Sequence, residues 1–161
     1  MPFTLRDFRP EDFDALWLID QACFPPDISY SRRELRLYLQ RAAAFTLVAT
    51  GAGEERGKNG SNPIAGFIVA EAGPRGSGHI ITIDVVAGAR RSGVGSLLLT
   101  GAEDRLRGAR CHKVALETAV DNIPALSFYK RHGYSVIRTF PRYYSNGVDA
   151  LVLQKEFASA A

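Results

Sequence analysis

Apolar and polar positions along the chain switch between two periods, and the switches lay out the elements. Residues 3–9 alternate apolar and polar, which predicts a first strand. Phe13, Leu16, Trp17, Ile19 and Ala22 then recur at helical spacing. Pro10 sits near the start of that helix, Glu11 and Asp12 fall in its first turn, and residues 24–27, Phe-Pro-Pro-Asp, stop it. Ser31 with Glu34 has the spacing of a capping box, which predicts a second short helix through Leu35, Leu37, Tyr38 and Leu39. Residues 45–50 and 64–72 are two strands, joined by a glycine-rich, charged loop over 51–63 that is expected to be mobile.

A turn over residues 73–78 leads to the stretch that organises the chain. Residues 80–86 are rich in β-branched side chains, as in a buried strand. From about Ser92 the pattern turns helical, with Val94, Leu97, Leu98 and Ala102 on one face. That helix runs to about Arg107, and Gly108 ends it. Residues 113–118 form a strand that should lie parallel to the central one by a right-handed crossover. Asp121 and Asn122 cap a helix over 123–132, which Gly133 terminates. Residues 134–140 and 149–157 are two closing strands, and the tail over 158–161 is expected to fray. The order β-α-α-β-β-β-α-β-α-β-β predicts one α/β domain over 1–161, with a mixed sheet and a central parallel pair.

Composition changes this picture little. The chain has 161 residues, of which 46% are hydrophobic and 23% charged, enough apolar surface for a full core. A net charge of +3, with the arginines spread out, suits an anionic ligand and does not call for nucleic acid. No apolar run approaches a membrane span and no signal-peptide pattern opens the chain, so a cytoplasmic protein without membrane attachment is expected, as a monomer or weak dimer. Cys23 and Cys111 have no metal-ligand spacing; no metal site is expected, and both should be buried reduced thiols.

The chemistry gathers where the central strand turns into its helix. Arg90, Arg91, Ser92, Gly93, Val94, Gly95 and Ser96 make a basic, glycine-containing turn. Glycine lets backbone approach a ligand, and a helix start offers free N–H groups and a positive dipole end, so this turn is suited to an anion. The spacing is neither Gly-x-Gly-x-x-Gly nor a P-loop; it is Arg-x-x-Gly-x-Gly, with Arg90, Gly93 and Gly95.

That loop, between a hydrophobic strand and a run of leucines, resembles the pyrophosphate loop of the GNAT N-acetyltransferase superfamily. Asn122, Ala125, Phe128, Tyr129, Gly133 and Tyr134 are similar to its second segment. Within the superfamily the chain most resembles N-terminal alpha-amino acetyltransferases of the RimI type, on Phe24-Pro25, on Leu116-Glu117 and on the loop containing Tyr143 and Tyr144.

The resemblance implies a GNAT fold: a seven-stranded mixed sheet with a splayed central parallel pair and about four helices. It implies acetyl-CoA as cosubstrate and a protein or peptide N-terminus as acceptor. Backbone amides over residues 91–96 would hold the pyrophosphate, and Ile83, Asp84 and Val85 would pair with the pantetheine arm, the Val85 N–H facing the thioester oxygen. Asn122 would contact the same arm, cap its helix, or do both. Glu117 matches the general base, and His79, near the start of the neighbouring strand, is a second candidate, each acting directly or through a water. Tyr129, two helical turns past Asn122, matches the general acid that returns a proton to the CoA thiolate. Phe24, Pro25, Tyr143 and Tyr144 would wall the acceptor groove.

Asp84 departs from the small residue that relatives often carry there. A buried carboxylate needs a partner, which leaves backbone, the substrate amine or a polar gap. The alternatives to an α-amine transferase are a lysine or small-amine N-acetyltransferase and a non-catalytic acyl-CoA-binding module. The α-amine is the easier nucleophile: with a pKa of about 8 it is roughly one-tenth neutral at pH 7, against about one lysine amine in 2,500.

Overall fold

The computed structural model describes residues 3–51 and 63–158. The glycine-rich loop expected over 51–63, apart from its two ends, and the tail beyond Ala158 lie outside the described residues. Strands β1 (Phe3–Asp7), β2 (Ala44–Gly51), β3 (Ile64–Ala72), β4 (Ser77–Val85), β5 (Lys113–Ala119), β6 (Ser135–Phe140) and β7 (Ala150–Glu156) form one seven-stranded sheet in the order β1-β2-β3-β4-β5-β7-β6. Helices α1 (Phe13–Cys23), α2 (Arg32–Leu39), α3 (Val94–Gly108) and α4 (Ile123–Arg131) cover it.

The core lies on both faces of the sheet. On one, Phe13, Leu16 and Ile19 of α1 and Leu35 of α2 pack on Val48, Phe67 and Val69. On the other, Leu98, Leu99, Ala102 and Leu106 of α3 and Leu126 of α4 pack on Leu47, Ile68, Ala70 and Ile80. Each helix places an apolar stripe against the sheet.

Two details of the sheet build the site. All neighbouring pairs are antiparallel except β4 and β5, which are parallel and joined only through Ser77↔Lys113, Gly78↔Val114 and His79↔Ala115. Past His79 the two strands part. The second is a bulge in β4, where Ala70 pairs Ile80 but Val69 pairs Thr82. One extra residue, Ile81, reverses which face the following side chains take. Thr82 and Asp84 therefore face α1, while Ile83 and Val85 face α3 and α4.

The elements differ from expectation mostly at their ends. Residues 10–12 form a separate 3₁₀ turn before α1 rather than its first turn. The central strand begins at Ser77, inside the expected turn. Helix α3 starts at Val94, later than expected, because Gly93 takes a left-handed φ of 89° and is the cap. Gly108 is the last residue of α3 and does not break it; the left-handed residue is Arg110, at φ 68°. Ser31 and Glu34 form the expected reciprocal capping box. Cys111 is buried, but Cys23 is only half-buried, because it opens onto the cleft described next.

Candidate active site

The parting of β4 and β5 leaves a cleft of about 420 Å³, closed by α4 on one side and the start of α3 at its end. Its lining includes Phe24, Ile83, Val85, Arg90, Arg91, Gly93, Gly95, Ser96, Asn122 and Tyr129, all singled out in the sequence. Cys23, Pro124, Ala125, Phe128 and Arg131 line it too. Pro124, Phe128 and Arg131, with Ala125 and Tyr129, recur at three- and four-residue spacing along α4, so one whole helix face borders the cleft. That periodicity was the available signal for Arg131.

The end of the cleft is cationic. Arg90, Arg91 and Arg131 stand around the start of α3. The first hydrogen bond of α3 runs from Leu97 N to Gly93 O, 3.0 Å, so the amides of Val94, Gly95 and Ser96 have no partner within the helix. Arg91, at φ 64°, and Gly93 turn the backbone so that the loop curls at the helix start. A Cβ on Gly95 would stand 3.2 Å from the Phe128 ring, so this turn of α3 sits directly against α4. Free amides and three guanidinium groups fit an anion such as a pyrophosphate. Two loop residues serve otherwise. The Val94 side chain is in the core, only 1% exposed, and the Ser92 hydroxyl donates to Ala89 O. Either contributes to an anion site through its backbone only. Ser96 Oγ lies 3.0 Å from His132 Nε2.

Val86 N donates to Ala65 O on the β3 side, 2.9 Å. Adjacent strand amides point to opposite edges, so the Val85 N–H is aimed into the gap. Val85 O is occupied, accepting from Cys23 Sγ at 3.3 Å and Arg90 Nε at 3.3 Å. Asn122 caps α4, its Oδ1 accepting from Ala125 N at 3.3 Å, and lines the cleft as well. Tyr129 is buried; burial first, then the Asp84 and Tyr144 charges, push its hydroxyl well above the ordinary phenol range. It therefore stays a proton donor at neutral pH.

At the mouth of the splay stands a row of ionisable groups. His79 Nε2 lies 2.9 Å from Glu117 Oε2, and His79 Nδ1 lies 4.0 Å from Glu71 Oε1. Arg41 holds Glu71 from behind with two hydrogen bonds of 2.8 and 2.9 Å. The hydrogen bond to Glu117 raises the His79 pKa, against an opposing effect of burial. The Tyr143 hydroxyl donates to Glu117 Oε1 at 3.4 Å. Tyr143 stacks on Phe140 and meets Tyr144 edge to face, 5.0 Å between ring centres. Burial chiefly pushes Tyr144 up to about 12. The Ser145 hydroxyl donates to Asp27 O, so the β6–β7 loop touches the loop after Phe24 and Pro25.

His79, Glu117, Tyr143 and Tyr144 thus form a second group beside the cleft, not part of its lining, and Pro25 is likewise outside that lining. The Asp84 side chain does not face the cleft: it lies on the α1 side of the sheet, hydrogen-bonded by Thr82 Oγ1 at 2.6 Å and in contact with Asp20. Neither backbone nor a polar gap partners it; its partners are two side chains. Among the described residues no cluster of His, Cys, Asp and Glu has a metal-binding arrangement, and no helix is long and apolar enough to cross a membrane.

The same architecture recurs in known proteins. A crystal structure of Ard1 from Thermoplasma volcanium superposes with a TM-score of 0.85 at 27% identity, covering 99% of this chain and all of that one. The ribosomal-protein-alanine N-acetyltransferase of Escherichia coli shares the fold, with a TM-score of 0.82 at 20% identity over 99% and 96% of the two chains. In sequence, an N-alpha-acetyltransferase of Sulfurisphaera tokodaii is 29% identical over 154 residues, 94% of this chain and 91% of its own. An uncharacterised N-acetyltransferase of Methanocaldococcus jannaschii is 37% identical over 86 residues, so the chain matches about half the length of that relative. Residues 13–134 match the acetyltransferase (GNAT) family, and with the splayed β4–β5 pair and the Arg-x-x-Gly-x-Gly turn in place, the chain belongs to that family and is an N-acetyltransferase.

Proposed function

We propose that this enzyme transfers the acetyl group of acetyl-CoA to the α-amine of a protein N-terminus with a small first residue, the ribosomal-protein-alanine type of acceptor. The observation that carries the reading is the contact between the two loops expected to wall an acceptor groove. Two loops touch through Ser145 and Asp27, and the Tyr143 hydroxyl reaches from one of them to Glu117. A chain end threads such a groove more readily than a lysine on a folded surface. Relatives named N-alpha-acetyltransferases support the same class of acceptor.

Each residue takes a role in one displacement step. The free amides at the start of α3, with Arg90, Arg91 and Arg131, hold the pyrophosphate, and Ile83 and Val85 offer strand edges to the pantetheine. Glu117, through a water, takes a proton from the ammonium, and the neutral amine attacks the thioester carbon. The Val85 N–H receives the charge that grows on the carbonyl oxygen. As the carbon–sulfur bond breaks, Tyr129 gives its proton to the leaving thiolate, and the second proton, shed by the nitrogen as the amide forms, restores the Tyr129 hydroxyl through water. Between the two candidate bases, we assign the carboxylate. Glu117 and Glu71 favour the protonated form of His79, so we give it the role of orienting Glu117 rather than accepting a proton itself.

The test is a panel of short peptides with free or blocked N-termini, some carrying internal lysine, assayed for CoA release and acetyl position by mass spectrometry. Acetyl on the α-amine of peptides starting with a small residue is the expected result. Acetyl on lysine alone would make it a lysine transferase, and no turnover with any amine would leave only acyl-CoA binding.

A further inference from the structure

Behind β4, on the face turned away from the cleft, two aspartates meet in the core. Asp20 of α1 is fully buried and Asp84 is 1% exposed. Asp84 Oδ1 accepts from Thr82 Oγ1 at 2.6 Å, and Asp20 Oδ2 accepts from Tyr30 N at 2.7 Å. The remaining oxygens, Asp20 Oδ1 and Asp84 Oδ2, have no other donor, and the two carboxyls are in hydrogen-bonding contact. Two carboxylates have no proton to bond with, and two bare anions in an apolar core would repel strongly. The apolar neighbours Phe67 and Val69 of β3 offer no charge to offset them. The other groups that sense the pair, Tyr30, Cys23, Glu34 and Tyr129, include no basic side chain, and Arg90 stands on the far side of Cys23, 3.8 Å from its Sγ.

The pair also reaches the acceptor groove. Tyr30 lies in the loop between α1 and α2, and its backbone is held at both ends. Its N–H goes to Asp20, and its carbonyl accepts from Trp17 Nε1 at 3.2 Å and Gln21 Nε2 at 2.7 Å. Its ring packs 5.0 Å from Tyr38, and the same loop carries Phe24, Pro25 and Asp27, whose carbonyl accepts from Ser145 of the β6–β7 loop. The chain of contacts Thr82–Asp84–Asp20–Tyr30 ties the strand that carries Ile83 and Val85 to the loop that walls the groove.

We propose that Asp20 and Asp84 share a single proton, and that this proton-bridged pair is a positioning device that fixes the α1–α2 loop, and with it the acceptor groove, against β4. The pair works through Tyr30 and touches neither substrate. The bridge exists only while the proton is held. Burial and the mutual charge raise the carboxyl of Asp84 well above its ordinary value. The stability from that proton is complete at acid pH and drains away as pH rises through the raised value. Above it, two buried anions push α1 and the loop off the strand.

This inference rests on the α-amine reading for its kinetic readout only; its stability readout is independent of the acceptor. An amide replaces the shared proton with a fixed N–H, so either single variant, Asp84→Asn or Asp20→Asn, keeps the bridge. The double variant sets two amide NH2 groups against each other, with no acceptor between them for the bridging hydrogen bond. Expected are single variants with a peptide KM near wild type, and a double variant with KM raised about tenfold or more, one buried hydrogen bond being lost. Acetyl-CoA affinity by calorimetry should stay unchanged throughout. The melting temperature of Asp84→Asn should gain on wild type as pH rises from about 5 to about 9, because only wild type loses the proton. The proposal is overturned if a single variant behaves like the double one, if the double behaves like wild type, if the melting gap is flat with pH, or if the defect lies in acetyl-CoA affinity. Should no peptide be acetylated, the α-amine reading fails, and the melting series alone still decides the pair.

Discussion

Glu117 Oε2 sits 2.9 Å from His79 Nε2, across the point where β4 and β5 stop pairing. The last parallel pair is His79↔Ala115, and Glu117 is two residues on, so its side chain falls on the same face at the mouth of the gap. The strand geometry, not a loop, fixes the pair. Glu71, register partner of His79 on β3, completes the row.

Glu117→Gln separates the roles in that row. The neutral amide removes the proposed base, so kcat should fall about 10²-fold or more. It also removes the carboxylate that raises His79, so the imidazole should titrate lower than in wild type. The sign follows from charge: an adjacent anion favours the imidazolium, and its loss favours the neutral ring. NMR titration of the His79 ring, paired with rates, checks both. His79→Gln keeps a donor to Glu117 and should cost less than Glu117→Gln; a larger loss would make His79 the base.

Tyr129→Phe removes one proton and leaves the ring in its packed place against Phe128 and Tyr134. Turnover should drop roughly 10²-fold, with acetyl-CoA affinity little changed. Because burial holds the Tyr129 hydroxyl protonated far into the alkaline range, wild type should show no alkaline loss from this group below about pH 10. Unchanged turnover would return Tyr129 to a packing role.

Gly93 is a test of the anion loop. It caps α3 at φ 89°, where a β-branched side chain is strained. Gly93→Val should weaken acetyl-CoA binding at least tenfold, about 1.4 kcal/mol. The helix itself, anchored by Leu98, Leu99 and Ala102 in the core, should persist by circular dichroism. Gly95→Ala makes a milder version of the test, since its Cβ would press the Phe128 ring at 3.2 Å.

Period and punctuation were enough to read the fold. Alternation in β1, the Ser31–Glu34 box, the β-branched run in β4 and the Asn122 cap each act locally, and local signals survive in sequence. The Arg90–Gly93–Gly95 turn was legible for the same reason. What was hidden depends on contacts between distant segments. The β4 bulge at Ile81 leaves no mark in composition, yet it turns Asp84 from the cleft toward α1, and so the partner of Asp84 was unreadable. Glu71 and Arg41 look like ordinary strand and loop charges until β3 pairs with β4 and brings them behind His79. Gly108 misled because a glycine near a helix end is a common stop; here the arginine two residues later takes the left-handed turn.

The two loop tyrosines give the last prediction, because the structure separates them. Tyr143 is half exposed and its hydroxyl reaches Glu117, whereas Tyr144 is more enclosed and stands edge-on to Tyr143. A hydroxyl on the proposed base is placed to meet the incoming amine or its water; a ring braced against it is placed to shape the wall of the proposed groove. Tyr143→Phe keeps the stack on Phe140 and removes only the hydroxyl, so it should lower kcat while peptide KM changes little. Tyr144→Ala removes the brace, so it should raise peptide KM, with kcat at saturation much closer to wild type. Acetyl-CoA affinity should be unchanged in both, since neither residue lines the cleft. Steady-state kinetics on one good peptide tell the cases apart. If both variants kept wild-type constants, the pair would only pack the β6–β7 turn, and the acceptor would have to enter by another side of the splay.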